Sequence, residues 1–338
     1  MLIWKTRQAL YINLSCGRKS AGFKKGMVIY MSKKNNDPRK RHLRTHVNEE
    51  RTAYICLIPA FIGLMFLTYL PLAGVFGISF FRWTGLSSPK FIGLNNYIKL
   101  FTTDPYIKDS IVVTVYFAVI SVLGSMIYSL LIALLLNRKV PARGFFRAVF
   151  YIPYVLPAAA VYVGWAWLYE ANFGFFNYLL SKAGIHKILF IADSNYVVPS
   201  LALIAVWLSG NLIVIFLAGL QNVPKVYHEA AEIDGANGWQ RFCNVTLPCM
   251  TPIIFYNLLM SLIANLQIVT PALSLTNGGP GNSSRFMTYL MYDQAFVNNK
   301  LGYACAVSFI IFVIIAIFTG ILFGTSGSWI FYEGGDEK

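Results

Sequence analysis

Charge is scarce in this chain. Charged residues make up 12% of its 338 residues, about half of the ~25% typical of a soluble domain. That is too little to cover the surface of a soluble protein of this length. Paired cysteines are missing too. Cys16, Cys56, Cys243, Cys249 and Cys305 form no Cys-x-x-Cys pair, so neither a disulfide framework nor a zinc site is supported. They read as small apolar side chains. No Gly-x-x-x-x-Gly-Lys-Ser/Thr segment is there to cradle phosphates, and no His, Cys and carboxylate cluster or nucleophile–base pairing is visible. The chain reads as no enzyme by itself, with no catalytic residue, metal or cofactor of its own.

What the sequence has is long apolar runs. Hydrophobic residues account for 57% of it. A bilayer core takes about 20 mostly apolar residues in helical form, and open backbone groups are not left in lipid. Six stretches qualify: Thr52–Phe81, Ile111–Leu136, Ala148–Tyr169, Tyr196–Leu220, Cys249–Leu275 and Leu301–Phe323, none with an Asp, Glu, Lys or Arg. The expected fold class is an all-α integral membrane protein with six spans in a domain over 52–329. Pro59, Pro71, Pro153, Pro157 and Pro271 fall inside the runs and are expected to kink or end helices. The lack of charged groups in the spans argues against a proton- or ion-coupled carrier, which relies on them.

Positive charge is placed unevenly. The tail 1–51 is rich in Lys and Arg against only Asp37, Glu49 and Glu50, and Arg138, Lys139, Arg143 and Arg147 fill the link between the second and third runs. Basic residues in short flanks mark the cytoplasmic side and contact anionic lipid. Both termini, the segment 225–248 and the tail 330–338 are therefore expected inside, and the links 82–109, 170–195 and 277–300 outside. Basic residues next to spans serve membrane lipid; nucleic acid is not an expected partner, since no basic motif with interleaved aromatics follows. Met27 and Met31 stand as alternative starts, so residues 1–30 need not be translated in the cell. Trp165, Trp167 and Tyr169 cluster at the outer end of the third run, as an aromatic belt or as a sugar-stacking surface.

The most informative segment is Glu229-Ala230-Ala231-Glu232-Ile233-Asp234-Gly235-Ala236, ending at Leu247-Pro248. It reads as a short helix, a break permitted by glycine, and a second short helix. Tyr227, Ala230, Ala231 and Asp234 share one helical side by spacing, and the small Ala pair leaves room for another surface. This segment resembles the EAA loop of ABC importer permeases: Glu-Ala-Ala, Gly four residues later, then aliphatic-x-Leu-Pro, matched by Glu229, Ala230, Ala231, Gly235, Val245, Leu247 and Pro248, with Asp234 and Ala236 in the Asp-Gly-Ala variant. Val245 stands where Ile is frequent. The resemblance implies a six-helix ABC importer transmembrane domain in a prokaryotic cytoplasmic membrane, whose coupling helix docks on an ATP-binding subunit, with ATP and Mg held by that partner. It further implies two ATP-binding cassette subunits, a second, different permease, and an extracellular or periplasmic solute-binding protein.

A second segment, Leu275-Thr276-Asn277-Gly278-Gly279-Pro280-Gly281-Asn282-Ser283-Ser284, is turn-rich. It is similar to the Leu-Thr-x-Gly-Gly-Pro-x-x-x-Thr/Ser segment of carbohydrate importer permeases, the maltose and glycerol-phosphate first-permease type, which implies a sugar or oligosaccharide as cargo. A peptide or amino-acid importer and a secondary carrier are the rival readings. Polar groups inside a span face a cavity or another helix. Candidates for the solute path are Asn257, Ser261 and Asn265 at four-residue spacing, Gln267 nearby, and Trp207 and Asn211 on the fourth run, with Ser209 between them. Glu170 and Arg285 stand at the rim.

Overall fold

The computed structural model describes residues 52–138 and 141–331. The basic tail 1–51, its alternative starts and the acids at 333–338 lie outside the described residues, as does Lys139. The chain divides into two units, Met1–Gly63 and Leu64–Lys338. The described part of the first unit, 52–63, is helical throughout and belongs to α1 (Thr52–Ile78).

The second unit continues from α1 into a two-stranded antiparallel hairpin, β1 (Phe81–Arg82) and β2 (Lys90–Phe91), with Phe81 opposite Phe91. Helix α2 (Asn95–Thr102) follows, held by the Asn96 amide, which donates to the carbonyls of Ser79 at 2.7 Å and Phe81 at 3.0 Å. Next come α3 (Ile107–Asn137), α4 (Arg143–Val155), α5 (Ala158–Leu168), α6 (Phe175–Lys182), α7 (Val197–Trp207) and α8 (Gly210–Asn222). The remainder is α9 (Lys225–Ile233), α10 (Gly238–Cys249), α11 (Thr251–Leu266), α12 (Met287–Tyr292) and α13 (Leu301–Ser326). Among the described residues β1 and β2 are the only strands.

Three helices, α1, α3 and α13, are long and apolar enough to cross a membrane unaided. The other three runs are broken. Helices α4 and α5 meet at 99°, α7 and α8 at 49°, and α10 and α11 at 65°; with each pair counted as one span the total is six. The third and fourth runs, expected as spans over 148–169 and 196–220, are therefore each a bent pair of helices. Pro157 caps α5 and Leu156 takes an extended conformation at the first break, as a residue before proline prefers. No proline marks the second. There Ser209 takes the corner, its hydroxyl donating to Val206 O at 2.6 Å. The fifth run, expected over 249–275, is helical only to Leu266; two residues, Ile268 and Val269, leave the helix before a further turn at 270–276. Several ends also move: α1 stops at Ile78 rather than Phe81, α3 begins at Ile107, four residues early, taking in Lys108 and Asp109, α4 begins at Arg143 rather than Ala148, taking in Arg143 and Arg147, and α13 runs on to Ser326.

Helix α3 organises the unit, packing against α7, α8 and α11. Phe117 joins Leu201, Ile204, Tyr162 and Phe286 in one core, and Ala133 and Leu136 join Phe216, Leu220 and Met250 in a second. Ser121, Ser125 and Ser129 form a buried polar row on the same helix, while Val119, Leu123, Ile127, Leu131 and Leu135 stay exposed. Small hydroxyl residues allow close helix approach where the surroundings are apolar.

Candidate functional site

Two of the breaks meet the end of α11. A cavity of about 400 Å³ is lined by Leu156 at the α4–α5 break, Leu208 and Ser209 at the α7–α8 break, and Ile268 and Thr270 in the stretch that follows α11. Its polar groups come from Ser125, Asn211, Ser261 and Asn265, with Tyr154 and Tyr162 as aromatic walls. No lining residue is charged. Ser129 fixes the floor of the second break, its hydroxyl 2.9 Å from that of Ser209. Asn265 is oriented by its own helix: Nδ2 donates to Ser261 O at 2.8 Å and to Ser261 Oγ at 3.3 Å. Its Oδ1 accepts no hydrogen bond among the described residues. The opening of the helices here leaves polar backbone and side-chain groups beside a space, which membrane interiors tolerate where a cavity is lined.

The six sequence candidates therefore separate. Asn211, Ser261 and Asn265 line the cavity together. Trp207 turns away, its ring edge-on to Trp165 at 5.6 Å, within an aromatic group that includes Tyr169, Phe176 and Phe190. Gln267 ends α11 and is exposed. Asn257 is fully buried, with neither amide atom hydrogen-bonded. Of the expected aromatic belt, Trp167 is 72% exposed, but Tyr169 is core and its hydroxyl donates to Ser200 O at 2.9 Å.

The second candidate element is the link between α8 and α11. Helix α9 ends at a left-handed Gly235, φ +77°. The Gly235 N–H donates to Glu232 O at 3.1 Å and the Ala236 N–H to Ala231 O at 2.9 Å. These two bonds satisfy the orphan carbonyls at the helix end in the Schellman arrangement. Asn237 then starts α10: its side chain accepts from Gln240 N at 2.9 Å, while Gln240 Oε1 accepts from Asn237 N at 2.8 Å, a reciprocal capping box. Four residues, Asp234 to Asn237, thus finish one helix and begin the next, with Arg241 donating back to Glu232 at 3.0 Å. Glu229, Ala230, Asp234 and Gly235 are exposed, and Ala231, Ala236, Leu247 and Pro248 are half-buried. Large apolar groups stand open beside them: Ile233 is 87% exposed and Trp239 72%.

Residues 125–331, which contain both the cavity and the link, match the family described as binding-protein-dependent transport system inner membrane component. The chain belongs to this family. Among relatives, the probable ABC transporter permease protein YesP of Bacillus subtilis is 36% identical over 288 residues, 84% of this chain and 93% of that protein. The trehalose/maltose transport system permease protein MalF of Thermococcus litoralis is 30% identical over 273 residues, 80% of this chain and 92% of that one. In three dimensions the permease is similar to a chain of a bacterial ABC transporter involved in the import of the acidic polysaccharide alginate. The TM-score is 0.71 at 20% identity, covering 85% of this chain and 99% of that one.

Elsewhere in the permease, the Gly-Gly-Pro segment is tied to itself. Ser284 Oγ donates to Thr276 Oγ1 at 2.7 Å and lies 2.6 Å from Gly279 O, so the first and last hydroxyls of the motif meet. Gly278 has φ +82°, and a Cβ there would lie 2.9 Å from the Tyr289 ring; the peptide before Pro280 is cis. These residues shape the segment and do not line the cavity. Arg285 sits over the Tyr106 ring at 4.2 Å and pairs with Asp293 at 3.5 Å. Glu170 accepts from the N–H groups of Phe173 and Asn172, which hold its carboxyl below the usual glutamate range. The sequence reading missed Ser125, Tyr154 and Tyr162. Ser121, Ser125 and Ser129 at four-residue spacing were the available signal for the first; nothing local singles out the tyrosines.

Proposed function

We propose that this permease carries a sugar or oligosaccharide inward by alternating access, and that the link 225–248 is the element through which ATP-binding subunits drive it. One observation carries the reading: the cavity between the α4–α5 break, the α7–α8 break and the end of α11 offers hydroxyls, amides and tyrosine rings and no charge. Neutral polyhydroxy solutes need many hydrogen bonds and a flat apolar face, whereas an ionic solute leaves its charge unpaired in such a site. The name of the trehalose/maltose relative points the same way.

In this reading the link lies in the cytoplasm together with both termini. Glu229 and the Ala230–Ala231 pair dock on an ATP-binding subunit, and Gly235 sets the angle to α10. The nucleotide and its magnesium belong to those subunits. A second, different permease completes the pathway, and a solute-binding protein delivers cargo from outside. Closure of the ATP-binding pair reaches the cavity as rigid-body motion of half-helices about their breaks. The test is reconstitution of the full complex in liposomes with its binding protein. Uptake of a labelled sugar that depends on ATP, and that is lost in Glu229→Lys while the complex still assembles, is the expected result. Uptake without ATP-binding subunits would overturn the proposal.

A further inference from the structure

Arg143 and Arg147 stand one turn apart at the start of α4, half-buried, and reach the last turn of α8. With its amide set by the hydrogen-bond network, Gln221 accepts from Nη2 of both arginines, each at 2.9 Å. The Nε groups of both are buried without a partner. The ion pairs among the described residues, Glu232–Arg241 and Arg285–Asp293, involve neither. Two guanidinium groups thus share one neutral oxygen in a partly dry place. Like charges gathered out of water are costly until an opposite charge joins them.

The surroundings indicate which anion. Phe146, Val149, Ile152 and Val155 follow along α4 from beside the pair, each about 60° further round the helix, and they are 40%, 42%, 53% and 64% exposed. A helix with cations at one end and an open apolar surface winding away from them suits a membrane boundary. We propose that Arg143 and Arg147 hold the phosphate of an anionic phospholipid whose acyl chains lie against that surface. The planar guanidinium fork matches phosphate oxygens two at a time, and basic pockets between membrane helices take anionic headgroups. The site has a mechanical position as well. Gln221 is followed by Asn222, Val223 and Pro224, after which α9 begins. A phosphate bridging the pair fastens α4 to the root of the α9–α10 link.

The test uses the assembled transporter, stripped of lipid in detergent and then given phosphatidylglycerol, phosphatidylcholine or inorganic phosphate, with bound lipid counted by native mass spectrometry. Wild type is expected to retain phosphatidylglycerol over phosphatidylcholine. Each cation near a membrane surface contributes about fivefold, so Arg143→Gln/Arg147→Gln is expected to lose about 25-fold in retention. Arg143→Lys/Arg147→Lys should lose less, keeping charge but not the fork. Arg138→Gln, an exposed arginine at the same end, should lose no more than the general contribution of about fivefold. Equal retention in the Gln pair, or an equal loss in Arg138→Gln, overturns the proposal. So does inorganic phosphate displacing the lipid at equal concentration, which marks a free-anion site. If the Gln pair fails to assemble, a photoreactive phosphatidylglycerol on wild type decides: crosslinks at 143–152 support the site, and crosslinks confined elsewhere, or from Arg147 to an acidic segment of a partner subunit, refute it.

Discussion

Arg241 reaches back across the turn between α9 and α10 to the Glu232 carboxylate at 3.0 Å, yet the two side chains remain 32% and 71% exposed. An ion pair so open to water contributes about 0–1 kcal/mol. The backbone bonds at Gly235 and Ala236 therefore set the angle of the turn, and the ion pair adds little.

That ranking gives a first prediction. Gly235→Val forces a branched side chain into φ +77°, at a cost of about 1–2 kcal/mol or more. It should lower both co-purification of the ATP-binding subunit and uptake. Gly235→Asn should be milder, since Asn tolerates the left-handed region. Arg241→Ala should leave co-purification near wild type.

At the second break the chains touch through backbone. A Cβ on Gly210 would lie 2.7 Å from Phe150 O and 3.1 Å from Tyr151 Cα. Neither neighbour is a flexible side-chain end. Gly210→Ala is expected to lower stability by about 1–3 kcal/mol, read as a drop in the melting temperature of the detergent-solubilised protein, and to spread the α7–α8 angle.

The asparagines of α11 should part company. Asn265 lines the cavity and Asn257 does not. Asn265→Ala should weaken apparent solute affinity by about tenfold, the scale of one hydrogen bond left unmade in a buried site, with little change in melting temperature. Asn257→Leu removes two unsatisfied buried atoms and should hold or raise the melting temperature, by up to about 1–3 kcal/mol of stability. A melting temperature that falls in Asn257→Leu, with solute protecting only the wild type, would place Asn257 in the path after all.

Glu170 supplies a pH signature. Hydrogen bonds from Phe173 and Asn172 to its carboxylate hold its pKa below the ordinary value. A group depressed on folding contributes stability above its unfolded pKa and loses it as pH falls through the folded one. The difference in melting temperature between wild type and Glu170→Gln should thus be present at neutral pH and shrink below the ordinary glutamate range. The group is open to solvent, so the difference is small; one that grew on acidification would contradict the assignment.

Much of this was legible in the amino acids. The apolar runs located three helices long enough to cross and three bent helix pairs, because only long uncharged stretches satisfy a bilayer. The Glu229–Pro248 spacing located the link, and its Gly235 announced the left-handed end. Pro157 announced a bend, though not one of 99°. The break at Ser209 was hidden, since it arises from Gly210 pressing on Phe150 and from Ser129 on another helix. Contacts between distant segments leave no local signature. For the same reason Trp207 and Asn211, one turn apart, end on opposite sides: the first is claimed by Trp165 and the second by the cavity. Spacing within one helix cannot say which neighbour it will meet.

The interruptions of helix beside the cavity have a mechanical consequence. A continuous helix resists folding because each degree of bend stretches rungs of its ladder. Where that ladder is interrupted, as around Leu156, Ser209 and Val269, a rotation stretches fewer rungs. The chamber walls are therefore the places where a push delivered from the α9–α10 link is most readily taken up as a change of shape.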